Sequence, residues 1–171
     1  MSALTADRDT ERRGGEFKVI PVAASVKIFA GSMVCANATG YAAPAADTAN
    51  FRFQGIAEEY VDNSAGADAA KTVKVRRGVF ELTTAGAAIT DVGKHVFATD
   101  DQTVALNGTT NAVYVGRIFQ FVSATSVFVD TREKRLALEQ ADSVAADVAT
   151  LKTDFNALLA KLRAADLLAT G

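Results

Sequence analysis

The chain has 171 residues, 49% of them apolar and 22% charged, with a formal charge of −2, a balance that suits one core of ordinary size with an appendage and excludes wholesale disorder. A near-neutral chain gives no electrostatic reason to expect nucleic acid, which would need a clustered basic face, and no apolar run approaches the roughly 18 residues that span a bilayer. Cys35, the only cysteine, has no partner for an internal disulfide and points to folding in a reducing cytosol.

In chain order, residues 1–16 come first: a polar stretch of mixed charge that lacks periodicity and contains Gly14-Gly15. It reads as a flexible arm with no hydrophobic signal region. Residues 17–131 form a series of short β-type runs. FKVIPV and VKIFAG open it, and SMVCANATGYAAP reads as a hairpin turning at Asn37 to Gly40. FRFQGIAEEYV, KTVKVRRGVFEL, KHVFATD, TVALN, AVYVGRIFQFV and SVFVDT follow. Val73 and Val75 alternate with Lys74 and Arg76, as a half-buried strand requires. Turn signals recur every 8–12 residues or so, the spacing of an all-β barrel or sandwich. Pro21 and Pro44 fall at strand ends or edges, where a missing N–H is tolerated.

Residues 132–171 change character. Neither glycine nor proline occurs from Arg117 through Thr170, and Ala, Leu, Lys and Glu dominate after Thr131, all good helix formers. Val144, Val148, Leu151, Phe155, Leu158 and Leu162 are spaced 4, 3, 4, 3, 4. With Ala137, Ala141 and Ala165 they extend into an a/d seam of about four heptads. Asp147 then falls at g and Lys152 at e of the next heptad, the opposite-charge pair expected between parallel helices. The pattern predicts a long C-terminal helix that self-associates as a coiled coil. A single amphipathic helix folded back on the β domain is the plainer alternative.

Residues that could carry chemistry are few. His95 is the only histidine, and a zinc site would need further His or Cys ligands beyond Cys35. His95 therefore reads as structural or exposed, and Cys35 as a small buried hydrophobe. No nucleotide-binding glycine motif and no nucleophile elbow is present. Glu58 and Glu59 are adjacent and would point to opposite faces of a strand, leaving Glu58, Tyr60 and Asp62 on one side. The loop from Asp62 to Asp68 lacks the closing ligand of a calcium loop, and Asp100-Asp101 looks like a hairpin turn. Arg76 and Arg77 also straddle a strand; one of them could pair with Glu58 or Glu59, and the other stand open to a partner. Taken together, this points to sheet surface and not to an active site, with no cofactor and no metal.

Several motifs, in order, resemble the capsid cement or head-decoration proteins of tailed bacteriophages. They are KIFAGSMVCANATGYA, then GYAAPAADTANFRFQGIAEEYVDN, then VKVRRGVFEL, and the later run DVGKHVFATDDQTV, within roughly residues 5–130. The resemblance implies a small β-barrel or β-tulip-like domain on the outer surface of an icosahedral head, clustered as a homotrimer and bracing neighbouring copies of the major capsid protein. It carries no catalytic signature. The long C-terminal coil departs from simpler members, which end soon after the last strand. Arg8, Arg12 and Arg13 of the arm could contact an acidic capsid surface, although Asp7, Asp9 and Glu11 leave the arm neutral. Three arms held by one coil would raise weak contacts by about 10²–10⁴-fold through avidity. The expectation is a virion structural protein made in the host bacterial cytoplasm, with neither nucleic acid nor membrane as partner. The other reading is a trimeric head-fibre or receptor-binding protein that recognises a host surface molecule.

Overall fold

A computed structural model describes residues 15–133 and 147–164, and the chain divides into two units, 1–132 and 133–171. Arg8, Arg12, Arg13 and Val144 lie outside the described residues.

The first unit is mainly β. Strands β1 (Phe17–Pro21), β3 (Met33–Ala36), β4 (Ala42–Pro44), β5 (Arg52–Ala57) and β7 (Thr72–Arg76) form an open sheet in the order β1-β7-β5-β3-β4, while β2 (Lys27–Ile28) and β6 (Val61–Asp62) make a separate ribbon. Strands β8 (Val79–Thr84), β9 (His95–Ala98), β10 (Thr103–Ala105), β11 (Tyr114–Ser123) and β12 (Ser126–Asp130) close into a barrel in the order β10-β8-β12-β11-β9. Every pairing in the barrel is antiparallel except β10 with β8. The expected barrel is therefore present, alongside an open sheet of equal strand number. The expected hairpin turn is also found: Asn37 Oδ1 accepts from the Thr39 and Tyr41 amides, and the Asn37 amide donates to the Tyr41 carbonyl.

The open sheet uses both faces. Met33, Cys35, Phe53 and Ile56 join Val96, Val104, Val115, Val127 and Val129 in one core. Val34, Ala57, Val73 and Val75 join Ile20, Ile28 and Val61 in a second, under the β2–β6 ribbon. Strand β3 is buried along its whole length for this reason. A central strand covered on both sides reads as a continuous apolar run. The alternation expected in β7 is met, with Val73 and Val75 buried and Thr72 and Lys74 exposed. Pro21 ends the edge strand β1, and Pro44 ends the edge strand β4.

Two expected strands are broken. FRFQGIAEEYV leaves the sheet after Ala57, and pairing resumes only at β6, where Val61 lies opposite Ile28. Burying Val61 with Ile28 in the second core draws the chain off the sheet, so Glu58, Tyr60 and Asp62 do not line one strand face. KTVKVRRGVFEL likewise breaks at Arg77-Gly78, which turns the chain from the open sheet into the barrel. The Gly78 amide donates to Thr131 Oγ1 at 3.0 Å, and the Thr131 amide donates to the Gly78 carbonyl at 2.8 Å. These bonds fix the corner.

The second unit contains one described helix, α1 (Val148–Ala164). The expected span 132–171 includes residues 134–146 and 165–171, which lie outside the described residues. The Asp147 carboxylate accepts from the Thr150 amide and hydroxyl at 2.8 and 3.2 Å, and the Asp147 carbonyl takes the first helical bond, from Leu151. This is an N-cap, so the helix has its own start at Val148. Its 17 residues span about 25 Å.

Candidate interaction surfaces

The charged stretch from Phe53 to Phe80 concentrates acids and bases, and the fold gives each acid in it a structural partner. Glu58 forms an ion pair with Arg76 Nε at 2.9 Å, though without hydrogen-bond alignment. Glu59 Oε1 accepts from the Lys74 amide at 2.9 Å, and the Lys74 ammonium lies 4.3 Å from the Phe17 ring centre. Asp62 accepts from the Ser64 hydroxyl and amide and pairs with Lys27 at 3.1 Å. The Ser64 bonds first, and Lys27 after them, hold its carboxyl well below the usual range. Asp68 Oδ1 accepts from the Ala24 amide at 2.7 Å.

Asp47, Asp91 and Asp100 elsewhere in the first unit are held in the same way. Burial works to raise Asp47, but bonds from Asn111, Thr109 and Thr110 outweigh it and lower the carboxyl. Asp91 is lowered by Lys94 and by the Ala88 amide. Asp100 accepts from the Gln102 and Thr103 amides, which makes it the expected hairpin turn. Carboxylates that accept two or three fixed donors stay ionised and cap loops; they are poorly placed to exchange protons with a substrate. Among the described residues no group of three or more His, Cys, Asp or Glu converges on a point that could hold a metal.

The two remaining candidates for chemistry are packed. Cys35 is fully buried, and burial pushes its thiol up to about 12, so no thiolate forms at neutral pH. His95 is half-buried and stands edge-on to Tyr114, ring centres 5.3 Å apart.

The fold also leaves several large apolar side chains outward. On α1, Val148, Leu151 and Phe155 are 82, 54 and 56% exposed, while Leu158 and Leu162 are half-buried. The expected stripe is thus on a helix, and its N-terminal half is bare to solvent. Asp147, assigned from sequence to an interhelical pair with Lys152, is engaged as the helix cap. On the first unit, Ile89, Val92 and Phe119 are exposed. The Gly93 amide donates to the Ile118 carbonyl, which brings the segment carrying Ile89 and Val92 beside Phe119. Phe29 and Tyr60 are exposed, with rings 5.4 Å apart. The Tyr60 hydroxyl donates to Asp62 at 3.2 Å, tying this pair to the Lys27–Asp62 bridge.

Sequence reasoning missed Phe29 with Tyr60, because the residues are 31 positions apart in the chain and meet only when β2 pairs with β6. It also missed Asn63. This buried amide donates to the carbonyls of Ala23 and Ala67 at 2.8 and 3.0 Å and ties two loops together. Its neighbour Gly66 has no room for a Cβ, which would meet Asn63 Oδ1. No helix among the described residues is long and apolar enough to cross a membrane. Compared with family models, with curated proteins and with solved structures, the chain matches none.

Proposed function

We propose that this chain is a structural protein of a bacteriophage head that decorates and stabilises the outer capsid surface as a homotrimer clamping copies of the major capsid protein. The observation that carries the reading is the exposed stripe Val148, Leu151 and Phe155 on a capped helix, whereas the first unit buries its apolar side chains in two cores of its own. Exposed large side chains at heptad spacing favour a second copy of the same helix. The motif order from KIFAG to VRRGVF supports the placement on a phage head, and acids engaged as caps and bridges fit a load-bearing role without turnover. Arg8, Arg12 and Arg13 are the proposed capsid contacts of the arm.

Sedimentation equilibrium of the full chain and of a chain ending at Thr131 tests the assembly, and co-sedimentation with shells of the cognate capsid protein tests the partner. A trimer that becomes a monomer on truncation, and that pellets with shells, is expected. Two monomers would overturn the coil, and a trimer that stays in the supernatant would overturn the capsid assignment.

The Phe29–Tyr60 pair favours a second reading, a trimeric head-fibre or receptor-binding protein. Exposed rings beside an ion pair offer a stacking surface and hydrogen-bonding groups to a sugar of a host surface molecule. Binding of the full chain to an array of bacterial surface glycans, lost in Phe29→Ala, would support it. An empty array would sink it.

A further inference from the structure

The corner between β7 and β8 holds a cation that has no counter-charge among the described residues. Arg77 is half-buried. Its Nε donates to the Gln54 carbonyl at 3.1 Å and its Nη2 to the Phe53 carbonyl at 2.7 Å, and the guanidinium lies 5.5 Å from the Phe53 ring centre. These partners are all neutral. No carboxylate pairs with Arg77 among the described residues, in contrast to Arg76, which has Glu58, and Arg132, which binds both oxygens of Asp130 at 3.0 and 2.8 Å. Burial alone perturbs the Arg77 guanidinium, lowering its pKa. A half-buried guanidinium held only by carbonyls still presents N–H donors and its charge to an incoming carboxylate.

Arg77 also lines two adjoining clefts. The larger, about 550 Å³, is bounded by Gly15, Glu16, Arg77, Gly78 and Arg132. The smaller, about 240 Å³, adds Lys18, Gln54 and Val75. Lys18 donates to Gln54 Oε1 at 2.6 Å, again a neutral acceptor. The walls are fixed: the Arg77 amide bonds the Glu16 carbonyl at 3.2 Å, and the Gly78–Thr131 bonds hold the other side. Among the described lining residues, Arg132 is matched by Asp130 and also sees Glu16, while Lys18 and Arg77 have neutral acceptors only, which leaves one positive charge in excess. A single carboxylate would cancel it, whereas a doubly charged phosphate would overshoot and meet Glu16.

We propose that these clefts are a docking site for an acidic segment of a partner protein, one carboxylate of which takes the guanidinium edge of Arg77 left over by the Phe53 and Gln54 carbonyls. The site is independent of the trimer and of the identity of the partner.

The test is a nuclear magnetic resonance titration of the ¹⁵N-labelled full chain with the capped peptide acetyl-Gly-Glu-Gly-Glu-Gly-amide, its glutamine counterpart, and inorganic phosphate. The glutamate peptide is expected to shift the Gly15 and Gly78 amides and the Arg77 Nε–H saturably, and to weaken as salt rises. The glutamine peptide is expected to leave them in place. Arg77→Gln is expected to abolish the response. Should that variant not fold, because two carbonyls lose their donors, Arg77→Lys keeps the charge without the fork and is expected to bind about tenfold more weakly. Equal shifts from the glutamine peptide, no shift from the glutamate peptide, or a response to phosphate alone would overturn the proposal.

Discussion

The two units place their apolar side chains in opposite ways. In the first, Val34, Val73, Val96, Val127 and Val129 are fully buried inside two cores of the chain's own making. In the second, Val148, Leu151 and Phe155 of the expected seam stand in solvent. Helix α1 has 17 described residues, and most helical stability in proteins comes from packing an amphipathic face. The contrast teaches where each unit draws its stability from: the β unit from contacts within itself, α1 from whatever covers its stripe.

The sharpest way to break that contrast is to remove one side of it. A chain ending at Thr131 is expected to keep its β signature in circular dichroism and to sediment as a monomer at every concentration where the full chain associates. Persistent association would move the self-contact to the β unit, with Ile89, Val92 and Phe119 as the face to examine. A smaller change sharpens the same point. Leu151→Asp with Phe155→Asp is expected to weaken association by at least about 100-fold, since each buried side chain of this size is worth roughly 1.5–3 kcal/mol. The thermal midpoint of the β unit should not move. A midpoint that falls with association would show the two units to be energetically joined.

Within the β unit, Val127→Ala is expected to cost about 1–3 kcal/mol in chemical denaturation, through lost burial and the cavity left in the barrel. Asn63→Ala should cost a similar amount, about 1–3 kcal/mol, because the Ala23 and Ala67 carbonyls lose their buried donor. Neither should alter sedimentation. Acid acts on both units, since Asp147 is also lowered by its Thr150 bonds. Asp47, Asp62, Asp91 and Asp130 are all held below their ordinary values, so the native state binds fewer protons than the unfolded one as pH falls. Their contribution is complete above about pH 5 and is lost as pH drops through the unfolded carboxylate range, near 3.9, toward the lowered native values. The tyrosine signal of the β unit should therefore fail on the acid side. Asp147→Ala, which removes the cap that α1 alone depends on, should lower helix content at neutral pH and leave that acid transition where it was. The smallest expected effect is none: Cys35 should react with a thiol reagent at pH 8 no faster than the β unit unfolds.

Much of the β unit was legible because its strands are local statements. Alternation at Lys74 and Arg76, the turn residue Asn37 and the turn at Asp100 depend on neighbours a few positions away. What could not be read depends on distant pairing. Val61 faces Ile28 across a 33-residue gap, and that pairing, unseen in the run FRFQGIAEEYV, ends the strand at Ala57. The break at Arg77 has a local sign, the glycine that follows it, yet the alternation of VKVRRGVF on either side reads as unbroken strand. The missing counter-charge of Arg77 is a property of three dimensions alone. The coil stripe was legible as periodicity, but the start of the helix at Asp147 was hidden, since Asp serves equally as a cap or as a charged flank.

The staple between Gly78 and Thr131 also sets an order of events. Every strand of the open sheet lies before Arg77 in the chain, whereas the barrel needs β12 beside β8 and Thr131 back against Gly78, a separation of 53 residues. During synthesis the open sheet can form while the second half of the unit is still being made, and the barrel must wait for its last strand. Until then β8 carries an unpaired edge and half a core. Helix α1 follows β12, so copies brought together through it would meet after that edge has been sealed, which guards the nascent barrel against exchanging strands with its neighbours.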